Sequence, residues 1–592
     1  MWASWSLRNP GRWHSRVPSA NAIGSSADAP HRAAGRATPS AYPAPVPDPD
    51  AAPESDAAPD SQPDAVFDPR DHEQLEAHGI AEAEALRQLA VLARPPRFAR
   101  LDRPCTVGDG IERWSDEQRA MYRNLAAEAV AGGRLSSFVP ASGAASRMFK
   151  ELLAWRARPG ALPVADIDAA AEAGDGDARV VQAWWRGLDR FAFWPALRTA
   201  VAPAARHPDG PLRPWLDALL AGPADEPRNG SGLHYAGLPK GLLAFHRDAS
   251  GARTAFEEQL AEGAAVHAPG GGVCRLHLTV SPEHRPGFED CFAAAEPALR
   301  AATGARFDLV LSTQQPATDT LAAAPDGGPF RSADGRLLIR PAGHGALIGN
   351  LARSGADLVL LKNIDNVTFG EGRADTVEWA HALFGRLVEL TADATSHLAA
   401  IDASRVGDSA LGAAGLDAAR SWLREQFGDL IADHDDPDGA ATMAALTRPI
   451  RICAMVANTG EPGGGPFWVR GRDGRVARQI VESAEVDPAD AEQQQILQQS
   501  THFNPVFLVG ALRDRAGRPH DLDAYVDPDA VIVTRKSSEG RELLALERPG
   551  LWNGAMAGWN TVFAEVPLVV FNPVKSVLDL LRPAHQPGPV SG

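Results

Sequence analysis

Short runs of β character alternate with helical stretches through the middle of this chain, and that alternation restricts its fold more than any other feature. Four runs rich in branched and aromatic residues are CRLHLTVS, FDLVLSTQ, ADLVLLKNIDN and RICAMVAN. Helical patterns stand between them, such as AFEEQLAEGAA and GALIGNLARSG. Strands that alternate with helices predict a three-layer α/β domain whose sheet contains parallel strands.

The flanking regions differ in composition. Residues 1–64 mix Pro, Ala, Ser and Asp with few large apolar side chains, which predicts a disordered N-terminal tail. Residues 65–135 carry helical patterns and are expected to form an N-terminal helical region. The main domain is expected at 136–510, interrupted by a helical insertion at 159–230, and a C-terminal segment follows at 511–592.

Three later segments have clear periodicity. PFWVRGRDGRVARQIVESAEVD has a turn at Asp473 and Gly474 between two alternating runs, which predicts a β-hairpin. DAVIVTRKSSEGRELLALE predicts a second hairpin. Residues 374–400 form one long amphipathic helical pattern.

Charge and cysteine content exclude several classes of protein. The 592 residues contain 58 Lys and Arg against 75 Asp and Glu, a net charge of −17, which disfavours a nucleic-acid partner. The four cysteines are far apart, without the spacing of a metal knuckle or a disulfide scaffold. No apolar run reaches the ~18 residues of a membrane span. A cytoplasmic protein without membrane contact is therefore expected.

The segment FVPASGAASRMFK, at 138–150, is the first candidate site. An apolar strand enters a turn of small residues, and Arg147 and Lys150 open a helix after it. Small residues allow close approach of an anion, and a helix start offers unpaired N–H groups. The turn residues are candidates for cradling a triphosphate: Ser142, Gly143, Ala144, Ala145 and Ser146. Simple tight packing is the alternative interpretation, and the pattern is not a Walker loop.

Two lysines stand at similar junctions. In GLPKGLLAF, Pro239 stiffens the approach and Lys240 precedes an apolar run, which predicts an ammonium at the mouth of a pocket. In VPLVVFNPVKSVLDLL, an apolar run predicts a strand, and a turn at Pro573 follows it. Lys575 comes next, at the start of a last helical pattern. A cation at a helix start opposes the dipole, so a bound phosphate would compensate for it. Plain solvent exposure is the alternative for both lysines.

A carboxylate follows the strand ADLVLLKN. Asp365 lies where ligands gather in open α/β sheets, at the carboxyl end of a strand. Mg²⁺ usually takes one or two protein carboxylates and fills its other positions with phosphate and water, so Asp365 is a candidate ligand. Upstream, Gly343, His344 and Gly345 form a turn that opens a helix. Asp365 as a turn cap and His344 as an ordinary hydrogen-bonding residue remain open, and a zinc role for His344 is not expected.

Taken together and in this order, these segments resemble the UDP-sugar pyrophosphorylases, which join a sugar 1-phosphate to UTP and release pyrophosphate. The likeness runs from Phe138 to Leu581, with 159–230 unmatched. The core as a whole looks most like an uncharacterised bacterial domain family distantly related to these enzymes. The segments that carry the resemblance are SGAASRM, LPKGLLAF, PAGHGALIGNL, LLKNIDN, the hairpin PFWVRGRDGRVARQIVESAEVD, THFNP and FNPVKSVLDLL.

The resemblance implies a Rossmann-like, GT-A-type nucleotidyltransferase fold with a mixed sheet, Mg²⁺ as cofactor, and a nucleoside triphosphate and a sugar 1-phosphate as partners. It implies that residues 142–146 cradle the triphosphate, with Arg147 and Lys240 near its β and γ phosphates. Asp365 would bind Mg²⁺ and Lys575 would neutralise the sugar phosphate. The residues implied at the uracil are Gln314 or Gln315 together with Gly343, and those implied at the sugar are His344, Gly464, Gly465, Glu482 and Asn504.

The chain also departs from the pattern of these enzymes. Ala145 and Ser146 stand where relatives commonly have Gly and Thr, and a Cβ at a position needing φ > 0 would cost about 1 kcal/mol and narrow the cradle. No second metal carboxylate is identified, although Glu485 and Asp487 are available.

Two functions other than sugar-phosphate uridylylation stay open. One is a catalytically silent protein that binds a nucleotide sugar, which the altered loop favours. The other is a nucleotidyltransferase that uses a non-sugar phosphate or phosphonate, or CTP or GTP. A purely structural protein would leave Lys240, Asp365 and Lys575 without a role. The chain shows no GxSxG elbow and no Cys/His nucleophile arrangement, which disfavours covalent hydrolase chemistry.

Overall fold

The computed structural model describes residues 66–94, 97–203, 206, 210–221, 232–405, 409–429, 436, 438–460 and 463–587. The tail predicted at 1–64 lies outside the described residues. In the described ranges the helices are α1 (Pro69–His78), α2 (Glu82–Leu92), α3 (Asp116–Ala131), α4 (Lys150–Arg156), α5 (Val164–Glu172), α6 (Gly176–Arg186), α7 (Trp194–Ala200), α8 (Arg213–Leu220), α9 (Ala255–His267), α10 (Arg285–Thr303), α11 (Ile348–Ala352), α12 (Arg373–Arg405), α13 (Ser409–Phe427), α14 (Ala440–Leu446) and α15 (Ala491–Gln498).

The strands of the same ranges are β1 (Leu101–Pro104), β2 (Thr106–Val107), β3 (Gly110–Glu112), β4 (Leu135–Pro140), β5 (Ala244–Asp248), β6 (Gly251–Thr254), β7 (Gly272–Thr279), β8 (Ala305–Ser312), β9 (Thr320–Ala323), β10 (Ile339–Arg340), β11 (Leu358–Lys362), β12 (Ile450–Ala457), β13 (Gly465–Arg470), β14 (Val476–Val481), β15 (His502–Phe503), β16 (Phe507–Ala511), β17 (Ile532–Ser538), β18 (Arg541–Glu547) and β19 (Asn560–Glu565). The four β runs of the sequence pattern are confirmed as β7, β8, β11 and β12, and the long helix is confirmed as α12.

The main sheet is mixed, as the fold prediction requires. Its strand order is β2-β3-β19-β12-β16-β11-β4-β7-β8, with β15 paired to β12. Strands β11, β4, β7 and β8 are mutually parallel, whereas β16 is antiparallel to both β11 and β12. Because parallel strands end at one edge, the loops after β4, β7, β8 and β11 emerge side by side. Three of these four loops carry predicted site residues.

Apolar side chains on both faces of this sheet create the three layers. On β12, Ile450, Ile452 and Ala454 belong to the core formed with α3, α12, α13 and α14. The alternate residues Cys453 and Met455 belong to the opposite core, with α11 and residues 551–559. This period of two is what a strand buried on both faces produces.

Smaller sheets complete the described structure. The first predicted hairpin is confirmed as β13 and β14, with Gly474 at φ 77°, and β1 pairs with its outer edge. The second is confirmed as β17 and β18, in a four-stranded sheet with β9 and β10 on which α1 and α2 pack. Helices α5 to α8 lie in the segment 159–230 that is expected as a helical insertion, of which residues 204–205, 207–209 and 222–230 lie outside the described part.

The structure differs from the sequence interpretation in three places. Residues 65–135 contain the strands β1, β2 and β3 besides helices, and these strands are too short to show periodicity. Residues 511–592 are not separate, because β19 pairs with β12 and β3 in the main sheet. The strand expected before Lys575 is a 3₁₀ turn at Leu568–Val570, since β19 ends at Glu565 and Pro567 cannot donate to a ladder.

No helix of the described part is long and apolar enough to cross a membrane.

Candidate functional site

An ion pair joins two of the predicted site residues at the carboxyl edge of the sheet. Lys240 Nζ donates to Asp365 Oδ2 at 2.6 Å and to the backbone oxygen of Val574 at 2.7 Å. The two charged side chains are only 16% and 15% exposed, so water screens them partially. The Lys240 ammonium therefore connects three segments that are far apart in the sequence.

The small-residue turn after β4 lies directly beside Lys240. Lys240 N–H donates to the Gly143 oxygen at 3.1 Å, and Ala145 N–H donates to the Leu238 oxygen at 3.1 Å. Ser142, Gly143, Ala144, Ser146 and Arg147 are exposed, whereas Ala145 is buried.

The expected strain at this turn does not occur. Ala145 and Ser146 both lie in the 3₁₀ turn Ala145–Phe149 and neither has a positive φ, so neither Cβ occupies a left-handed position. The Ala145 side chain packs into an apolar core instead of narrowing the exposed loop. The Ala145 N–H, however, is already bonded and does not face a ligand. The N–H groups of Ser142, Gly143 and Ala144 have no acceptor among the residues described, so they are donors left at this loop.

The segment before Lys575 pairs with the segment after β11. Val574 N–H donates to the Asp365 oxygen at 3.2 Å, and Asn572 N–H donates to Asn366 Oδ1 at 2.9 Å. These bonds place Lys575 one residue beyond the oxygen that Lys240 contacts.

The apparent conflict of Lys575 with a helix dipole is resolved locally. Asp579 Oδ2 accepts hydrogen bonds from the N–H groups of Lys575 at 2.8 Å and Ser576 at 2.6 Å. The following helix is a single 3₁₀ turn, Val577–Leu581, whose dipole is correspondingly small. The Lys575 side chain is exposed, with Nζ 5.8 Å from the centroid of the Phe571 ring.

Four predicted sugar residues form a second group. Asn504 N–H donates to the Gly464 oxygen at 2.7 Å, and a Cβ at Gly464 would lie 3.3 Å from Glu482 Cγ. Gly465 begins β13 and is buried, with Ser500 Oγ 3.0 Å from where its Cβ would stand. Asn504 Nδ2 is buried and finds no acceptor in the described part of the chain. The hairpin and the THFNP segment thus meet.

Asn553 lies beside two carboxyl groups, those of Glu482 and Glu485. Its Nδ2 donates to Glu485 Oε2 at 2.8 Å. The Asn553 and Trp552 side chains also lie near Glu482 and partly offset the effect of burial on its pKa. Burial raises the pKa of Glu482, and burial together with the nearby Glu482 and Asp527 raises the pKa of Glu485 to about 7. Trp552 and Asn553 were not predicted, because no recognised motif covers the turn that contains them.

The Gly-His-Gly turn contacts the same residues. The His344 ring stacks on Trp552 with centroids 4.0 Å apart, and His344 Nδ1 accepts from Leu551 N–H at 2.9 Å. Because Nδ1 is an acceptor, the neutral ring carries its proton on Nε2. Burial lowers the pKa of His344 to about 4. Gly343 has φ 77°, and its Cβ would lie 3.2 Å from Glu547 Oε2, so both conformation and space favour glycine.

Gln314 and Gln315 lie in the turn after β8. Gln314 Nε2 donates to Asp319 Oδ1 at 2.8 Å, and the Gln315 oxygen accepts from Thr318 Oγ1 at 2.6 Å. Arg548 links this turn to the Gly-His-Gly turn: its Nε donates to the Thr318 oxygen at 2.8 Å, and its N–H to the Ala342 oxygen at 3.0 Å. The residues implied at the uracil are therefore connected through one arginine.

The donor set at Asp365 fits a Mg²⁺ held mainly by phosphate. Lys240 occupies Oδ2, while Oδ1 has no hydrogen-bond donor among the described residues. The described ranges contain no group of three or more His, Cys, Asp or Glu that could hold a metal. Glu485 accepts a hydrogen bond from Asn553, and Asp487 Oδ1 accepts one from Ala489 N–H at 2.9 Å, so both carboxylates already have hydrogen-bond donors. One hard carboxylate oxygen beside substrate phosphates is a usual Mg²⁺ environment.

A protein-family model described as "Domain of unknown function (DUF4301)" matches residues 68–586. The chain belongs to this family. No curated protein matches it.

Solved structures similar to this DUF4301 protein include UDP-glucose pyrophosphorylase from Leishmania major, at 13% identity and TM-score 0.39, covering 86% of this chain and 77% of that one. Another is the uridine diphosphate N-acetylglucosamine pyrophosphorylase from Trypanosoma brucei, at 13% identity and TM-score 0.42, covering 84% and 74%. A third is a UDP-glucose phosphorylase from Trypanosoma brucei, at 12% identity and TM-score 0.40, covering 87% and 80%.

Proposed function

We propose that this protein is a nucleotidyltransferase that transfers UMP from UTP to a sugar 1-phosphate and releases pyrophosphate. The observation that carries the proposal is the position of Lys240 Nζ, which contacts both Asp365 Oδ2 and the Val574 oxygen beside the turn at Gly143. These four segments are the ones that the sequence resemblance assigns to phosphate and metal. Their convergence supports a site that holds two phosphorylated molecules.

The proposed reaction requires little covalent chemistry from the protein. A phosphate oxygen of the sugar 1-phosphate attacks the α phosphorus, the P–O bond to the β phosphate breaks, and pyrophosphate leaves with the electron pair. The attacking oxygen is already ionised near pH 7, so no general base is required. Catalysis then consists of alignment and of neutralising phosphate charge.

Each cation has a role set by its position. Arg147 and Lys240 border the exposed turn and would neutralise the β and γ phosphates of UTP. Lys575 is exposed on the other side of Val574 and would hold the sugar phosphate. Several kcal/mol of barrier lowering is typical of such preorganised cations where water is excluded.

Glu482, Asn504 and Gly464 would bind the sugar, since they lie together on the hairpin side. His344 stacks on Trp552, which contacts Glu482, so it belongs to the same end of the site. Gln314, Gln315 and Gly343 would bind the uracil. Asp365 would hold Mg²⁺, which when bound supplies positive charge to the phosphates.

The test is pyrophosphate release from UTP, Mg²⁺ and a panel of sugar 1-phosphates, measured with the purified full-length protein. The proposal expects release that depends on one or a few sugars, is lost with Asp365→Asn and stops on addition of a chelator. Arg300→Ala, which removes an exposed cation at the end of α10, is the matched control and should behave as wild type. The absence of release with every sugar and nucleotide would contradict the proposal.

A silent nucleotide-sugar-binding protein is the second candidate, and one observation favours it. Ala145 N–H donates to the Leu238 oxygen, so one backbone donor of the turn is unavailable to a triphosphate. A protein of this kind would bind UDP-sugars, which calorimetry would detect, without releasing pyrophosphate.

A further inference from the structure

The side chains of the helical insertion belong to an apolar core that also contains residues from each predicted phosphate-binding segment. Trp184, Phe193 and Leu216 of the insertion are fully or nearly fully buried in this core. The same core includes a residue next to or within three positions of each predicted phosphate or metal residue: Ala145, Leu243, Val367 and Val574. Four segments that are distant in sequence therefore rest on one set of insertion side chains.

Direct contacts bind the insertion to the segment that carries Lys575. Gly187 lies so close to Leu581 that an added Cβ would be 2.8 Å from its Cδ1. Arg190 Nη2 donates to the Leu581 oxygen at 3.1 Å. Val577 and Leu580 of the same turn are buried in the insertion core.

Tyr235 makes the corresponding connection near Lys240. Its ring packs edge-on against Phe193 of the insertion at 5.5 Å and contacts Phe149, before α4, at 6.2 Å. Its hydroxyl accepts a hydrogen bond from Ala244 N–H at 3.2 Å, four residues after Lys240. The insertion is thus linked to the phosphate turn, to the Lys240 segment and to the Lys575 segment.

We propose that the insertion is a positioning element for the phosphate side of the site. It fixes the Val574 oxygen, which Lys240 Nζ contacts, and with it the direction in which Lys575 leaves the turn. Close-packed cores transmit small volume changes to neighbouring backbone, so a change at Gly187 or Leu580 should move Lys575. The kinetic part of this inference rests on the proposed function, whereas its structural part does not.

The structural test is hydrogen–deuterium exchange of the full-length protein with Gly187→Val and Leu580→Ala. Both variants should speed exchange by about tenfold in the peptides covering 142–149 and 573–581. The matched control is Leu75→Ala, equally buried but in the separate core of α1 and α2, which should speed exchange only there. Arg190→Ala removes one hydrogen bond and leaves the apolar core intact, so it provides the same readout if Gly187→Val does not fold. Faster exchange confined to residues 164–221 would overturn the inference.

The kinetic test compares KM and kcat in the same variants. Displacing Lys575 should raise KM for the sugar 1-phosphate by about tenfold to a hundredfold, with a smaller change in kcat. Leu580→Met, which conserves volume, should restore the wild-type KM. An unchanged KM in variants whose 573–581 exchange has increased would overturn the positioning role. Failure of the wild-type protein to release pyrophosphate would instead contradict the proposed function, and the exchange experiment would still decide the structural part.

Discussion

Lys240 and Asp365 stand 125 residues apart in the sequence, and their side chains form an ion pair of 2.6 Å at the carboxyl edge of the main sheet. Each of the two lies beside a backbone group of the segment that carries Lys575, at Val574. The phosphate side of the site is therefore one connected unit. Changes to its members should affect turnover more than folding, provided that shape is conserved.

Asp365→Asn keeps the shape of the side chain and an oxygen for Lys240, but removes the negative charge. We expect turnover to fall by about a hundredfold or more, because the Mg²⁺ that would neutralise the phosphates loses its negatively charged ligand. Pyrophosphate release and a thermal unfolding scan of the same sample measure the two effects. Wild-type turnover in a folded variant would remove the metal assignment.

Lys575→Ala should leave the fold intact, since the side chain is exposed and the backbone N–H that donates to Asp579 is kept. The expected result is a large rise in KM for the sugar 1-phosphate and a lower kcat, with KM for UTP changed less. Steady-state kinetics with each substrate varied in turn distinguish these effects. Equal increases in both KM values would place Lys575 elsewhere than at the sugar phosphate.

Glu485 gives the protein a pH-dependent stability. Its pKa is raised from 4.5 to about 7 in the folded state, so the folded protein binds more protons than the unfolded chain between these values. Stability is therefore lost as pH rises from about 4.5 to 7, by no more than about 3 kcal/mol. Glu485→Gln removes this ionisation and keeps an acceptor for the Glu482 N–H.

Denaturant unfolding at pH 5 and pH 8 tests the assignment. The stability of Glu485→Gln relative to wild type should increase between pH 5 and pH 8. A difference that does not change with pH would show that Glu485 titrates normally.

Gly345 has a packing role within the Gly-His-Gly turn. A Cβ at this position would overlap the backbone oxygen of Pro549, which cannot move as a flexible side chain could. Gly345→Ala should therefore destabilise the fold by about 1 to 3 kcal/mol and disturb the stacking of His344 on Trp552. Gly517→Ala would place its Cβ in open space. It is unsuitable as a control, however, because Gly517 has φ 76°, a left-handed conformation that strains alanine.

Gly415→Ala is the better control, because nothing lies within 4 Å of its added Cβ and its φ is not left-handed. Thermal unfolding of the two variants should separate them clearly. Equal unfolding temperatures would contradict the close approach at Pro549.

Periodicity predicted the strands and helices that repeat a pattern over many residues. The runs at β7, β8, β11 and β12 and the helix α12 are long enough for this. Strand β3 pairs with β19 over only two residues, Ile111 and Glu112, so no local pattern marks it as part of the sheet. Pro567 prevents the apolar run before Lys575 from forming a strand, because proline cannot donate to a ladder. Hydrophobicity alone does not reveal this effect.

The candidate site was predictable where a side chain stands directly after a strand. Asp365 follows β11 in this way, and the edge of a parallel sheet brings it to the turn after β4. The partners Trp552 and Asn553 were not predictable, because tertiary packing of the 551–559 turn brings them to Glu482. The N–H of Ala145 shows the same limit: its bond to Leu238 depends on a segment almost a hundred residues away.

The most direct measurement of the central claim is ³¹P NMR of the full-length protein with UTP, Mg²⁺ and a series of sugar 1-phosphates. The account predicts that, for at least one sugar, pyrophosphate and a nucleoside diphosphate sugar appear together in equal amounts, and that Asp365→Asn forms neither. Unchanged UTP and sugar phosphate resonances for every member of the series, in a folded wild-type sample, would contradict it.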